Sequence, residues 1–106
     1  MSARRRFEMT ERARTRQTVM DRARRLCEAD LDGCTTHATD VHEIKTRARG
    51  GSITDPDNCL ALCRWCHAFI TAHPAFSDEW GFTVHSWATP EDMEKAKIKR
   101  AELRSK

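Results

Sequence analysis

Apolar residues recur at Met9, Ala13, Met20, Ala23 and Cys27, with Val19 and Leu26 beside them, and neither glycine nor proline interrupts the run. That near-3.6-residue spacing predicts an N-terminal helix within residues 8–29. Asp30, Asp32 and Gly33 then predict a turn. Asp40–Ile44 alternates as a short strand does, and Cys59–Leu62 is a second strand candidate. Between them Lys45–Asn58 reads as a loop, because Gly50-Gly51 and Asp55-Pro56-Asp57-Asn58 are strong turn signals. Arg64–Ala72 predicts a short helix stopped by His73-Pro74. Thr89-Pro90-Glu91-Asp92 supplies an N-cap, a proline at the first helical position and early acids. The helix it opens is expected over 89–104, steadied by Glu91–Lys95 and Glu102–Lys106 pairs.

With 106 residues there is room for one domain, 1–106. At that size only about 60–68% of the unfolded surface can be buried, so an apolar core alone would be marginal. Hydrophobic residues make up 39% and charged residues 33%, which suits a soluble, surface-rich protein. No apolar run approaches the roughly 20 residues of a bilayer span, so no membrane role is expected. The basic start is followed by no apolar stretch of the signal-peptide kind, and a reducing, cytoplasmic location is expected. In such a compartment five cysteines point to metal binding rather than to disulfides, with four ligands and one spare.

Net charge is +3, but it is unevenly spread. Residues 1–26 carry nine arginines against Glu8, Glu11 and Asp21, a local +6. Residues 27–89 amount to −5 and residues 90–106 to +2. A basic arm is the usual electrostatic footprint of a nucleic-acid binder, since phosphate contacts release counterions. A solvated charged helix would carry the same residues.

Cys63-Arg64-Trp65-Cys66 is a CxxC knuckle, and Cys27 and Cys34 form a second pair with six residues between them. No βαβ pattern surrounds the knuckle, which argues against a thiol-redox motif. Four thiolates would close a tetrahedral structural Zn²⁺ site, and such a site contributes folding energy directly. Cys59 is the spare, expected as a small apolar residue on the second strand.

Between the cysteine pairs run Val41-His42-Glu43-Ile44, a basic segment Lys45-Thr46-Arg47-Ala48-Arg49, Gly50-Gly51, Asn58, and His67 directly after Cys66. Asn58 and His67 are nine residues apart. This combination resembles the HNH endonucleases of the ββα-metal type, most of all the small enzymes of tailed phages, over about residues 20–73. The fold class the resemblance implies is small α+β: a ββα-metal core on a treble-clef-like zinc module, residues 27–73, with flanking N- and C-terminal helices and a basic tail over 1–7.

The implied activity is metal-dependent cleavage of DNA phosphodiester bonds, as a nick or a double-strand break, in phage genome packaging beside a terminase or in homing. The location would then be the host cytoplasm. By position His42 and His67 match ligands of a catalytic divalent cation (Mg²⁺, Mn²⁺ or Ni²⁺), and Asn58 matches the residue that fixes the loop. Two protein ligands leave open positions on such an ion for a scissile phosphate. Glu43 stands seven residues before Gly50, where the family usually places its histidine base. Either Glu43 takes the proton from water, or a one-residue register shift gives that role to His42. Thr71 occupies the place of a further histidine found in histidine-rich variants, so a three-histidine site is not expected.

Lys45, Arg47 and Arg49, beside this centre, and Arg4, Arg5 and Arg6 in the tail are candidate phosphate contacts. His37 reads as a surface residue, and Trp65, Phe69, Trp80, Phe82 and Trp87 as packing around the zinc module. The competing reading is a zinc-stabilised nucleic-acid-binding or packaging accessory module with little or no cleavage. Target sequence and the choice between monomer and dimer are not encoded in any of these patterns.

Overall fold

Twenty residues free of glycine and proline, Ala3–Arg22, form helix α1 in the computed structural model, which describes the backbone from residue 3 and side chains from residue 10 onward. The tail expected over 1–7 is thus helical from Ala3, as its run of good helix formers allows. The side chains of Arg4, Arg5 and Arg6 lie outside the described residues.

At its other end α1 stops sooner than the apolar spacing predicts. Arg24 and Arg25 take φ of 55° and 58°, in the left-handed region, and the chain turns away before Leu26. Such a conformation costs a non-glycine residue roughly 1–2 kcal/mol, so tertiary contacts must favour it. They do: the Cys27 N–H donates to the Thr36 carbonyl at 2.7 Å, and Glu28 pairs with Ala61 through its own N–H and through its carboxylate. The Ala61 N–H and C=O, on the outer edge of a strand, are thereby satisfied.

Strands β1 (Asp40–Glu43) and β2 (Cys59–Leu62) pair antiparallel with Asp40 opposite Leu62, His42 opposite Leu60 and Glu43 opposite Cys59. Alternation divides them into two faces. Val41, Cys59 and Ala61 pack against Val19 and Met20 of α1. Leu60 and Leu62 belong to the main core, with Ile44, Cys63, Cys66, Ile70 and Phe82. Cys59, 1% exposed in the first of these clusters, is the spare apolar cysteine.

Helix α2 (Arg64–Ala72) follows β2 directly, and Cys63 is its N-cap, its sulfur accepting from the Cys66 N–H. The His73-Pro74 step ends α2 and, with Pro74 as first residue, opens a further short helix, α3 (Pro74–Glu79), that the hydrophobic pattern does not reveal. Helix α4 (Pro90–Arg104) starts with a capping box in which Thr89 and Asp92 bond each other's backbone. Glu91 pairs with Lys95 at 3.5 Å as expected, but the Glu102–Lys106 pair does not form. Instead Lys106 sits over the Trp80 ring at 4.6 Å and Glu102 reaches Lys99.

Between α3 and α4 the segment Phe82–Ala88 runs beside the end of β1, the Val84 N–H donating to the Ile44 carbonyl at 3.1 Å. The result is a small α+β fold with one two-stranded sheet. No described helix is long and apolar enough to cross a membrane.

Candidate metal centre and histidine site

Cys27, Cys34, Cys63 and Cys66 come together with all four sulfurs within 4.8 Å of one another, the one group of three or more metal-competent side chains among the described residues. Cys63 and Cys66 come from the β2–α2 junction, and Cys27 and Cys34 from an arm whose backbone is unusual. Arg24, Arg25, Asp30 and Thr36 all have positive φ, and they are the only described non-glycine residues that do. Gly33 lies in the same arm because the Trp65 indole covers it; an added Cβ would come within 2.3 Å of the ring.

Burial opposes ionisation of Cys63, but N–H groups of Cys66 and Thr35 aimed at its sulfur outweigh that and bring its pKa down to about 6. Burial pushes the Cys66 and Cys34 thiols up. Four buried or half-buried sulfurs, with backbone donors already on one of them, fit a thiolate-bound metal ion.

The histidine expectations meet on the other side of β2. His42, on β1, and His67, on α2, have ring centroids 5.3 Å apart at an interplanar angle of 71°. Each ring has one nitrogen fixed. His42 Nε2 lies 2.6 Å from the Phe82 carbonyl, which can only accept, so that nitrogen carries the proton. Burial lowers the His42 pKa and keeps the ring neutral, leaving Nδ1 as a lone-pair donor. His67 Nδ1 lies 2.8 Å from Asp40 Oδ2. Burial works against ionisation of Asp40, but the bonds from His67 and Thr39 and the nearby Arg64 charge prevail and hold its carboxyl below the usual range. Asp40 is therefore the acceptor and His67 Nδ1 the donor, and His67 Nε2 has no hydrogen-bond partner among the described residues.

Asp40 was no part of the sequence-based site. The signal for it is simple in retrospect: residues two apart on a strand share a face, so Asp40 lies on the side of His42 that α2 covers.

Glu43, one residue on, takes the opposite face with its partner Cys59. Its Oε2 is buried and has no hydrogen-bond partner among the described residues. The negative charge of Glu43, after burial itself, raises the Cys59 thiol to about 11. Glu43 and the histidine pair are thus brought to the same end of β1 but not to the same side of it.

Asn58 closes the loop between the strands. Its Oδ1 accepts from Lys45 N at 2.8 Å, and its Nδ2 donates to the carbonyls of Lys45 and Ser52. Gly51 is required beneath this clamp, since a Cβ would lie 1.7 Å from the Lys45 carbonyl oxygen. Lys45, Arg47 and Arg49 are carried on the fixed loop. Lys45 Nζ reaches the Ala88 carbonyl at 3.4 Å, and one Arg49 nitrogen donates to Val84 O at 3.0 Å.

A groove of about 780 Å³ lies between this loop and α4 and is lined by neither histidine. Its arginines are committed elsewhere: Arg22 holds Glu28 and the Pro56 and Cys59 carbonyls, Arg100 the Gly81 carbonyl and Arg104 the Glu28 carbonyl. They staple the fold.

Of the remaining residues, His37 is exposed as expected, and Thr71 turns its hydroxyl back to the His67 carbonyl. Trp65, Phe69, Phe76 and Phe82 form a chain of ring contacts on the cysteine module. Trp87 departs from expectation. It is 73% exposed, and its one ring contact among the described residues is with His85 rather than with that chain of aromatics.

Comparison with protein-family models, with curated proteins and with solved structures finds no match to this chain.

Proposed function

We propose that the protein is a metal-dependent nuclease that hydrolyses DNA phosphodiester bonds, with His42 and His67 holding a catalytic divalent cation and the four cysteines holding a structural Zn²⁺. The observation that carries this reading is the paired tethering of the histidines. Each gives one ring nitrogen to a fixed acceptor, Phe82 O or Asp40 Oδ2, and keeps the other free. Metal-ligating histidines are oriented in this manner. A buried structural histidine needs partners for both nitrogens or none to spare.

When bound, the cation supplies Lewis-acid stabilisation of the charge developing on the phosphate. The chain's own groups do the rest. Lys45, Arg47 and Arg49 bind backbone phosphates and set the strand's position on the loop that Asn58 holds rigid. The proton of the attacking water falls to Glu43, acting from the face of β1 opposite the histidine pair, or to His42 through its free Nδ1, the cation then being held differently. For the cysteine site, a set of four thiolates favours Zn²⁺ over harder ions.

Nicking of supercoiled plasmid with Mg²⁺, Mn²⁺ or Ni²⁺ tests the reading. The wild-type protein should convert supercoiled to open or linear DNA with at least one ion, and His67→Ala should abolish it. A wild-type protein that binds DNA but cuts with none of the ions would establish the binding-module reading instead.

A further inference from the structure

His85 and Trp87 are the residues that the proposed cleavage leaves unused, and they are placed unusually. Their rings stack in parallel, with centroids 4.4 Å apart and an interplanar angle of 5°. Trp87 is the most exposed of the large hydrophobic side chains described, and its outer face meets no other ring among the described residues. An indole left this open gains nothing for folding that a polar residue would not.

The segment bearing the pair is not a loose loop. Val84 bonds Ile44, the residue after Glu43, and the Phe82 carbonyl fixes His42. Arg49 holds the Val84 carbonyl and Lys45 reaches the Ala88 carbonyl, so two cations of the loop after β1 bracket the stacked rings. On the other side the rings share a cleft with Asp78, Glu79 and Asp92 and with Lys95 and Lys99; Asp78 accepts from the Thr83 hydroxyl and Asp92 closes the α4 capping box. A flat aromatic platform thus stands on the segment that Lys45 and Arg49 hold by its backbone, beside the loop after β1.

We infer that His85 and Trp87 form a stacking platform for an unpaired base of the DNA whose backbone lies on Lys45, Arg47 and Arg49, so that the protein prefers single-stranded or locally unpaired DNA to uninterrupted duplex. This rests on the DNA-cleaving reading of the adjacent site. Base–aromatic stacking next to a cationic groove is the common physical solution for gripping unpaired nucleotides, because every base has a π-face whatever its sequence. A fully paired duplex keeps its bases stacked on each other and offers the platform nothing.

The test uses the full-length, zinc-loaded protein without catalytic cation and two labelled duplexes of the same sequence, one fully paired and one with a single unpaired nucleotide, with fluorescence anisotropy as readout. Wild type should prefer the interrupted duplex. Trp87→Ala should weaken binding to it by about 10- to 100-fold, the usual loss of one stacked base, while binding to the paired duplex and the salt slope stay unchanged because no charge is removed. Trp87→Phe should lose less, and the quenching of tryptophan emission seen when wild type binds the interrupted duplex should be absent from it. Trp87 is on the surface, so the variants should keep the wild-type circular-dichroism spectrum. Equal affinity of wild type for the two duplexes, or an equal loss on both for Trp87→Ala, would overturn the platform while leaving the nuclease reading intact. Failure of wild type to bind or cut any DNA would overturn both.

Discussion

The cysteine cluster and the histidine pair both draw on the β2–α2 unit, the first completed by the arm that precedes β1 and the second by β1 itself, yet they differ in closure. The cysteine cluster gathers four sulfurs within 4.8 Å, two of them fully buried, and bends its own backbone into four left-handed residues to do so. The histidine pair brings two rings to 5.3 Å, fixes one nitrogen of each and is joined by no third ligand among the described residues. A closed set of ligands leaves an ion nothing to do but hold the fold together. An open pair, held rigid from behind, leaves room for substrate. In a chain whose apolar core is small, an ion closed in by the first arrangement would help hold the elements that carry the second.

The largest expected effect breaks the comparison from the cysteine side. Cys63→Ser removes the sulfur on which two backbone N–H groups converge. Structural zinc contributes on the order of 10 kcal/mol to small domains, more than a domain of this size has in reserve. The variant should therefore lose its folded circular-dichroism spectrum at room temperature. Chelator titration of wild type should separate the two sites, abolishing cleavage at doses that leave the spectrum intact. Cleavage and fold lost together at every dose would mean that one ion serves both.

Glu43→Gln sharpens the comparison by asking which face of β1 takes the proton, that of Glu43 or that of His42. It keeps size and most hydrogen bonding but removes a basic oxygen, so if Glu43 takes the proton the rate of plasmid nicking should fall by about 10²–10⁴. DNA affinity should not drop, since losing a negative charge near phosphate cannot weaken it electrostatically. Glu43→His should retain or raise activity near neutral pH. A Glu43→Gln protein that cuts at the wild-type rate would move the proton-accepting role to His42.

What the sequence made legible follows the same division. The knuckle Cys63–Cys66, the strand Cys59–Leu62, helix α2 and the Asn58 clamp are local or depend on spacing along a short stretch, and spacing is visible in a sequence. The arm is different. Residues 23–27 carry a helical pattern, and only the pairing of Glu28 with Ala61 and the convergence of Cys27 on Cys63 pull them out of the helix. Propensity yields there to contacts some thirty residues away. The Phe82 carbonyl that orients His42 lies forty residues off and belongs to the backbone, so no residue type announces it. Trp87 misleads for a third reason: an indole is read as core until its exposure is known.

Asp40 gives the smallest of these effects and the finest test of how the open site is held. Its carboxylate faces His67 Nδ1 at 2.8 Å and Arg64 Nε at 3.2 Å. Two roles are thereby confounded, orientation of a metal ligand and anchoring of α2 to β1. The Arg64 contact is the more exposed, its side chain being 81% accessible, and an exposed ion pair contributes little. The His67 contact is half-buried and fixes which ring nitrogen stays free. Removing such an outer partner typically costs 10- to 100-fold in metal affinity. Asp40→Ala should therefore weaken Mn²⁺ binding at the histidine site, followed by electron paramagnetic resonance on zinc-loaded protein, by that factor. Arg64→Ala should leave it within about threefold, the scale of one surface ion pair. If both variants weaken Mn²⁺ binding alike and lower the melting temperature in step, Asp40 is an anchor for α2 and His67 needs no orienting partner. If only Asp40→Ala loses Mn²⁺ while both melt near wild type, the carboxylate acts through the histidine ring, and the open site owes its geometry to a residue two positions before His42 on the same face of β1.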